Sequence, residues 1–380
     1  MNSDLNKIKD IIEFRKELHQ HPELSGNEKN TINRIKKFIQ QFRPDTIIDN
    51  IGGYGLIAIY KGAEAGKTIL FRSDIDALPI HEASDFIHKS ENKNIAHLCG
   101  HDGHTAILIE TMELVSHDRP KKGNVLFLFQ PAEETGQGAI NVLNDTNFII
   151  PDYIFGIHNI PGFKENQLLF RKGTVAAASK GMIIKLFGKT SHASEPEKGI
   201  SPAIAMSEII TYFNEVNLNK SSFNSLILTT VVYARLGEVA FGTSPGYAEV
   251  MITLRSFSDN DMDWLIRISS QKIHEITSEQ KIDYTINFVE EFPSTENNTE
   301  CIEKLIIIAK KNNFDFLFLE NPFKWSEDFG NYTKTIPGAL IGIGSGINHP
   351  NLHNPKYDFP DKIIPNSSHF LYSIYKNLLE

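Results

Sequence analysis

Residues 123–134, GNVLFLFQPAEE, run a short apolar stretch straight into two adjacent carboxylates, Glu133 and Glu134. Two further runs end the same way. Residues 68–74, TILFRSD, close on Asp74 with Asp76 just beyond, and residues 152–159, DYIFGIHN, close on His158 and Asn159. In an open α/β sheet the site forms beyond the carboxyl ends of the strands, and Asp74, Asp76, Glu133, Glu134 and His158 all fall there. Between the first two runs, GHTAILIETMELVSH (103–117) has helical periodicity, which gives the β–α alternation of a mostly parallel sheet flanked by helices. The fold expected is therefore α/β.

Working outward, residues 5–19 read as an amphipathic helix and GGYGLIAIYKG (52–62) as β-rich. The texture changes near residue 179. From there the chain reads strand (GMIIKLFG), helix (SPAIAMSEIITYFNEV), strand (SLILTTVVYARLG), strand (YAEVMITLRSF), helix (NDMDWLIRISSQKIHEIT) and strand (KIDYTINFVEEF). That β-α-β-β-α-β order is ferredoxin-like, inserted whole. After it, CIEKLIIIAKKN, PGALIGIGSG and a final helix from about Ser367 resume the α/β pattern. The expected organisation is a catalytic domain in two parts, residues 1–178 and 293–380, around an inserted lid or dimerisation domain at 179–292.

With 380 residues, two domains are the natural expectation, and 41% hydrophobic with 22% charged residues is ordinary for a globular chain. The net charge of −9 argues against nucleic acid, whose phosphates call for a basic face. No apolar run is long enough to cross a bilayer, and the first twenty residues lack the apolar core of a signal peptide. Two cysteines, Cys99 and Cys301, exclude a disulfide framework and fit a reducing, cytoplasmic setting. Cys301 opens a helix-like stretch and reads as core packing.

The densest chemistry lies in CGHDGHT (99–105), which packs Cys99, His101, Asp102 and His104 into six positions. With Glu134, His158 and His353 of LHNPKYDFPD, it supplies thiolate, imidazole and carboxylate donors, a set that suits zinc or a neighbouring transition ion rather than magnesium or calcium. A thiolate is able to bridge two cations, so Cys99, His101, Glu134, His158 and His353 make five ligands for a co-catalytic pair about 3.5–4 Å apart. Adjacent residues of an extended chain project in different directions. Glu134 is accordingly assigned to metal and Glu133 to general base and acid, taking a proton from water and passing it to the leaving amine. A structural zinc site is the alternative, but it would leave the carboxylate pair idle.

RSDIDALPI, CGHDGHT, QPAEETGQGA, GIHN, SEDF and LHNPKYDF occur in order, and together with HQHPEL (19–24) they carry a resemblance. The chain resembles the di-metal amidohydrolase family of hippurate hydrolase, N-acyl-amino-acid amidohydrolases, auxin-conjugate hydrolases and N-acetyldiaminopimelate deacetylase. More distantly it is similar to carboxypeptidase G and the aminoacylases. The resemblance implies that Cys99 bridges two divalent ions, that His101 and His158 complete one and that Glu134 and His353 complete the other. Zinc is the first expectation, with manganese, cobalt or nickel as alternatives.

It further implies that Asp76 supports a metal-binding histidine, that His192 of SHASEP polarises the scissile carbonyl and that Arg255 of TLRSF grips a substrate carboxylate. Glu327 and Asp328 match another active-site segment. Where many relatives carry Asn-Val-Ile-Pro, this chain has Gly242, Thr243, Ser244 and Pro245. The activity implied is hydrolysis of a small-molecule N-acyl amino acid, acetylated or benzoylated, to a carboxylic acid and a free amino acid. Alternatives are a dipeptidase or carboxypeptidase on the same site, or a non-catalytic binding protein on this fold. A homodimer through the inserted domain is expected, with SLILTTVVYARLG and YAEVMITLRSF offering exposed edges and His192 reaching the partner's site.

Overall fold

The computed structural model describes residues 2–218 and 222–379. The chain divides into two compact units. The first comprises the chain up to Val175, Thr295–Asn321 and everything from Asp328; the second comprises Ala176–Ser294 and Pro322–Glu327.

Before the insertion the first unit holds helices α1 (Asn2–Gln20), α2 (Lys29–Ile39) and α3 (His101–His117). It also holds strands β1 (Thr46–Ile51), β2 (Gly55–Lys61), β3 (Glu64–Asp74), β4 (Lys122–Gln130), β5 (Tyr153–Ile160) and β6 (Leu168–Phe170). The second unit contributes β7 (Ala178–Phe187), α4 (Ala203–Val216), β8 (Ile227–Leu236), β9 (Tyr247–Ser256), α5 (Asp259–Glu279) and β10 (Asp283–Phe292). The chain then returns with α6 (Thr299–Lys311), β11 (Phe316–Phe318), β12 (Gly338–Gly344) and α7 (Ile364–Leu379).

The first unit is built on one eight-stranded sheet in the order β1-β2-β4-β3-β5-β12-β6-β11. Its centre, β4-β3-β5-β12, is parallel, while β1, β2 and β6 join antiparallel. One set of alternating side chains, including Leu56, Tyr60, Phe71, Phe127 and Phe155, packs with α1, α3 and α7 through Phe14, Ile107, Met112 and Phe370. The opposite set, Ile57, Leu70, Leu126, Leu128 and Ile154, is buried too. Strands covered on both faces need no polar alternation, which is why 125–129 and 154–157 read as continuous apolar runs. Truncating a ring such as Phe127 to alanine would cost about 3–5 kcal/mol.

Helix α3 is buried along most of its length, polar first turn included, as befits a helix at the centre of a domain rather than on its surface. It packs between α1 and α7.

The second unit has a four-stranded sheet in the order β8-β9-β7-β10, antiparallel throughout. Helices α4 and α5 cover one face, where Phe213, Leu265 and Ile273 meet Met182, Ile184, Val250 and Ile252. Strand β9 alternates inward and outward along its whole length, the signature of a sheet with one helix-covered face.

This order corrects one expectation. YAEVMITLRSF is not an edge, because β9 is hydrogen-bonded to β8 on one side and β7 on the other, so its backbone groups are spent. The edges of this sheet are β8 and β10, and only SLILTTVVYARLG of the two segments lies at one. Pro322–Glu327 clusters with the insertion although it belongs to the returning chain by sequence. The Ala177 amide donates to Trp325 O (3.0 Å), and Arg255 Nη1 donates to Lys324 O (2.9 Å) and Ser326 Oγ (2.8 Å). No helix among the described residues is long and apolar enough to cross a membrane.

Candidate functional site

Three parallel strands deliver the polar residues to one end of the first unit's sheet. Strand β3 ends at Asp74 with Asp76 two residues on; β4 ends at Gln130, before Glu133 and Glu134; His158 sits near the end of β5. The fourth contribution is the loop that opens α3. Gly100 precedes the helix at φ +96°, a left-handed conformation that favours glycine, and a Cβ there would lie 2.5 Å from Asn159 Oδ1. At Gly103 a Cβ would lie 2.1 Å from the Phe359 ring. Glycines at these two positions let the loop press against the segments carrying His158 and His353. The His353 amide itself donates to Leu98 O at 2.8 Å.

Donor atoms of five residues converge. Cys99, His101 and His158 form one group with ligand atoms within 4.8 Å of one another, and Cys99, Glu134 and His353 form another. Cys99 is the shared member. Its Sγ lies 3.7 Å from His158 Nε2, and Glu134 Oε1 lies 3.8 Å from both His101 Nε2 and His353 Nε2. His101 Nε2 and Glu134 Oε1 are buried without a hydrogen-bond partner, a costly condition that a cation between them would relieve. Two sulfur- and nitrogen-rich groups joined at a cysteine thus fit borderline transition ions.

Supporting contacts fix which nitrogen each ring presents. His101 Nδ1 donates to Asp76, 2.9 Å from its carbonyl and 3.2 Å from Oδ1, and His158 Nδ1 donates to the Asn159 carbonyl at 2.9 Å. In both rings it is Nε2 that faces the cluster, 3.7 Å from Cys99 Sγ in His158 and 3.8 Å from Glu134 Oε1 in His101. Asp76 Oδ2 in turn accepts from the Glu134 amide (3.0 Å) and Ser25 Oγ (2.7 Å). Glu133 lies beside the group, with Oε2 3.9 Å from His101 Nε2.

Burial sets the charge states of this cluster. It pushes the Cys99 thiol well above its ordinary range, reinforced by the Glu134 carboxylate, and it pushes Glu134 up to about 8 against the opposing pull of His101. His158 is driven well below the usual imidazole range by burial and by His104, and His353 is lowered by burial and by His101. His101 goes the other way, because Asp74 and Cys99 outweigh its burial. Neutral imidazoles at His158 and His353, beside a thiol and a carboxyl that resist ionisation and a protonated His101, make a donor set whose protons a dication would displace.

Beside the cluster lies a buried ionic network centred on Arg72, a residue that the sequence patterns do not single out. Arg72 bonds Asp74 Oδ2 (2.7 Å), Gln130 Oε1 (2.8 Å) and Asp328 Oδ1 (2.6 Å), and Asp328 Oδ2 accepts from Gln130 (2.8 Å) and the Ala139 amide (2.8 Å). Asp74 Oδ1 holds His104 Nδ1 at 2.6 Å, and His104 Nε2 takes the Asn159 amide at 3.1 Å. His104 is thereby engaged in positioning β5. On the other side of α3, Arg15 joins Asp102 (3.1 Å) to Asp358 (2.6 Å) and Asp361 (3.0 Å) of the segment that carries His353. One signal for the first network was available: an arginine interrupting the apolar run of β3.

The remaining sequence-derived residues belong to the second unit. His192 is exposed on a two-residue strand, Ser191–His192, paired with Thr243–Ser244 so that Thr243 stands opposite it. Its Nδ1 lies 2.7 Å from Ser194 Oγ. The Gly242–Pro245 segment is therefore His192's direct neighbour. Arg255 is half-buried on β9, and Glu327 is buried.

Comparisons with known proteins accord with this arrangement. The family model described as Peptidase family M20/M25/M40 matches residues 70–377. An N-acetyl-L-cysteine deacetylase of Bacillus subtilis (strain 168) is 31% identical over 385 aligned residues, covering 98% of this chain and 89% of the relative. A hippurate hydrolase of Campylobacter jejuni is 29% identical, covering 96% and 97%. Among solved structures, a dinuclear metal-binding peptidase of the M20 family from Bacillus subtilis superposes with a TM-score of 0.84 at 26% identity, covering 99% of each chain.

Proposed function

This chain belongs to peptidase family M20/M25/M40 and is a metallo-amidohydrolase acting on small molecules, and from that premise we propose that it hydrolyses N-acyl amino acids at a two-ion site. The observation that carries the reading is Cys99 shared between two ligand groups, one with His101 and His158, the other with Glu134 and His353. Two divalent ions held there would supply Lewis acidity toward the scissile carbonyl and lower the pKa of the attacking water. Zinc is our first choice, since thiolate and imidazole dominate the donors.

Glu133 is the proton carrier. It accepts a proton as the water oxygen bonds to the carbonyl carbon, and it returns that proton to the nitrogen as the C–N bond breaks, leaving a carboxylic acid and an amine. Asp76 holds His101 in the tautomer that frees Nε2. We assign His192 to the developing oxyanion and Arg255 to the substrate's α-carboxylate, which a guanidinium grips through parallel N–H bonds. Homodimerisation through β8 is part of the proposal. Its support is an edge strand that leaves Val232, Tyr233 and Leu236 exposed. A reducing, cytoplasmic setting fits the two buried, unbridged cysteines.

The test is to supply zinc, manganese, cobalt or nickel to the protein and assay a panel of acetyl and benzoyl amino acids against free dipeptides. Turnover of the acylated set is expected. Turnover of dipeptides alone would replace this reading with a dipeptidase. In parallel, Cys99→Ala should lower the bound metal from about two ions per chain, measured by elemental analysis after dialysis. Unchanged stoichiometry would make the cysteine packing rather than a bridge.

A further inference from the structure

We propose that Glu28 is a positioning residue that clamps the Ala132–Glu133–Glu134 tip of β4 in its working shape. Ala132 sits at φ +55°, in the left-handed region that side-chain-bearing residues avoid, immediately before the two carboxylates. Something must hold it there. Its amide donates to Glu28 Oε1 at 2.8 Å, and the same oxygen accepts from the Gly26 amide at 2.9 Å. Glu28 is fully buried and is the residue preceding α2, yet its side chain makes no capping bond to that helix. Its carboxylate serves residue 132, 104 positions along the chain, and Gly26 instead.

The surrounding segment has the same orientation. The Ala77 amide donates to Glu23 O at 2.9 Å, Leu24 bridges to Ala77, and Ser25 Oγ donates to Asp76 Oδ2 at 2.7 Å. Asp76 Oδ2 then takes the Glu134 amide at 3.0 Å. Residues 23–28 therefore grip both strand tips: Ser25 acts through Asp76 on residue 134, and Glu28 acts directly on residue 132. Glu133, between these two anchored amides, has its direction set from both sides. The far side of the loop is closed by the Gly136 amide on Glu133 O (2.8 Å) and the Gly138 amide on Ala132 O (2.9 Å).

The inference rests on the roles given above to Glu133 and Glu134. What the clamp requires of residue 28 is an acceptor at the right reach, not a charge. Glu28→Gln keeps the carbonyl oxygen in place, whereas Glu28→Asp keeps the charge and withdraws it by one methylene. Glu28→Ala removes the acceptor altogether.

In the metal-loaded protein, Glu28→Ala should lower kcat about 10–100-fold with KM within about 3-fold. Competition against a chromogenic chelator should show metal affinity falling about tenfold, the range expected when an outer-shell partner is lost. Glu28→Gln should stay within about 3-fold of wild type in all three quantities. Glu28→Asp should follow alanine, and it carries the same expectation if the alanine variant does not fold. An aspartate variant that works beside a glutamine variant that fails would overturn the clamp in favour of a charge effect. A folded alanine variant with unchanged kcat and metal affinity would overturn it outright. The chelator titration involves no turnover, so it judges the clamp even if the substrate assignment fails, and Glu133→Gln judges the role of Glu133 separately.

Discussion

The two units bury different things. In the insertion, buried polar groups are mostly hydroxyls, and among its described charged residues only Asp261 and Glu327 are buried. Asp261 caps the Asn224–Ser225 turn (2.7 Å to the Ser225 amide). The first unit buries Arg15, His19, Arg72, Asp74, Asp76, His101, Asp102, His104 and Glu133, arranged in connected networks. Taking a charge out of water is expensive unless partners compensate it, so such a concentration persists where chemistry needs it and where every member is held. One unit is a scaffold of apolar layers; the other devotes much of its interior to keeping a cluster of donors in register.

The sharpest way to probe that contrast is Glu133→Gln, which preserves shape without accepting a proton. Turnover should fall about 10²–10⁴-fold while elemental analysis finds the metal content unchanged. Near-normal turnover with full metal would remove Glu133 from the chemistry.

Next in size is a paired comparison of interiors. Arg72→Met strands Asp74 and Asp328 as uncompensated buried charges and should destabilise by about 3–5 kcal/mol, with weakened metal binding. Leu254→Ala, in the insertion's core, should cost about 2–5 kcal/mol and leave metal affinity alone. Urea unfolding with a chelator titration on each variant checks this. Metal loss from Leu254→Ala would break the division of labour between the units.

The smallest effect concerns pH. Burial pushes His19 down, but Asp102 and Glu82 outweigh it and raise its pKa from 6.5 to about 9. A pKa raised on folding contributes stability that is fully present below about 6.5 and is lost as pH climbs through about 9, up to about 3 kcal/mol. The wild-type urea midpoint should therefore decline across that window relative to His19→Asn. Parallel curves would mean that His19 is neutral in the folded chain.

Much of the fold was legible because its signals are local. Apolar runs ending in candidate site residues marked β3, β4 and β5 of the parallel centre, and the six insertion elements appear in the order read from periodicity. Strand neighbours were not legible. Whether YAEVMITLRSF lies at an edge depends on which strands pair with it from elsewhere in the chain, and its inward–outward alternation is the same in either place. The site shows the same division. Cys99, His101, Glu134, His158 and His353 stood out because their donor chemistry is distinctive in sequence, and the structure places their donor atoms in two groups that share Cys99. Arg72, Arg15 and Glu28 escaped because an arginine or a carboxylate looks the same whether it is solvated or buried in a network.

By itself the sequence determined the element types, the insertion and the inventory of donors, since periodicity and side-chain chemistry are properties of short segments. Only the tertiary structure decided that Cys99 is common to two ligand groups and that a carboxylate at residue 28 answers a strained amide at residue 132. Those relations join positions tens to hundreds of residues apart. They exist only after the sheet has chosen its strand order and burial has stripped water from the groups involved, so that each must find its partner within the protein.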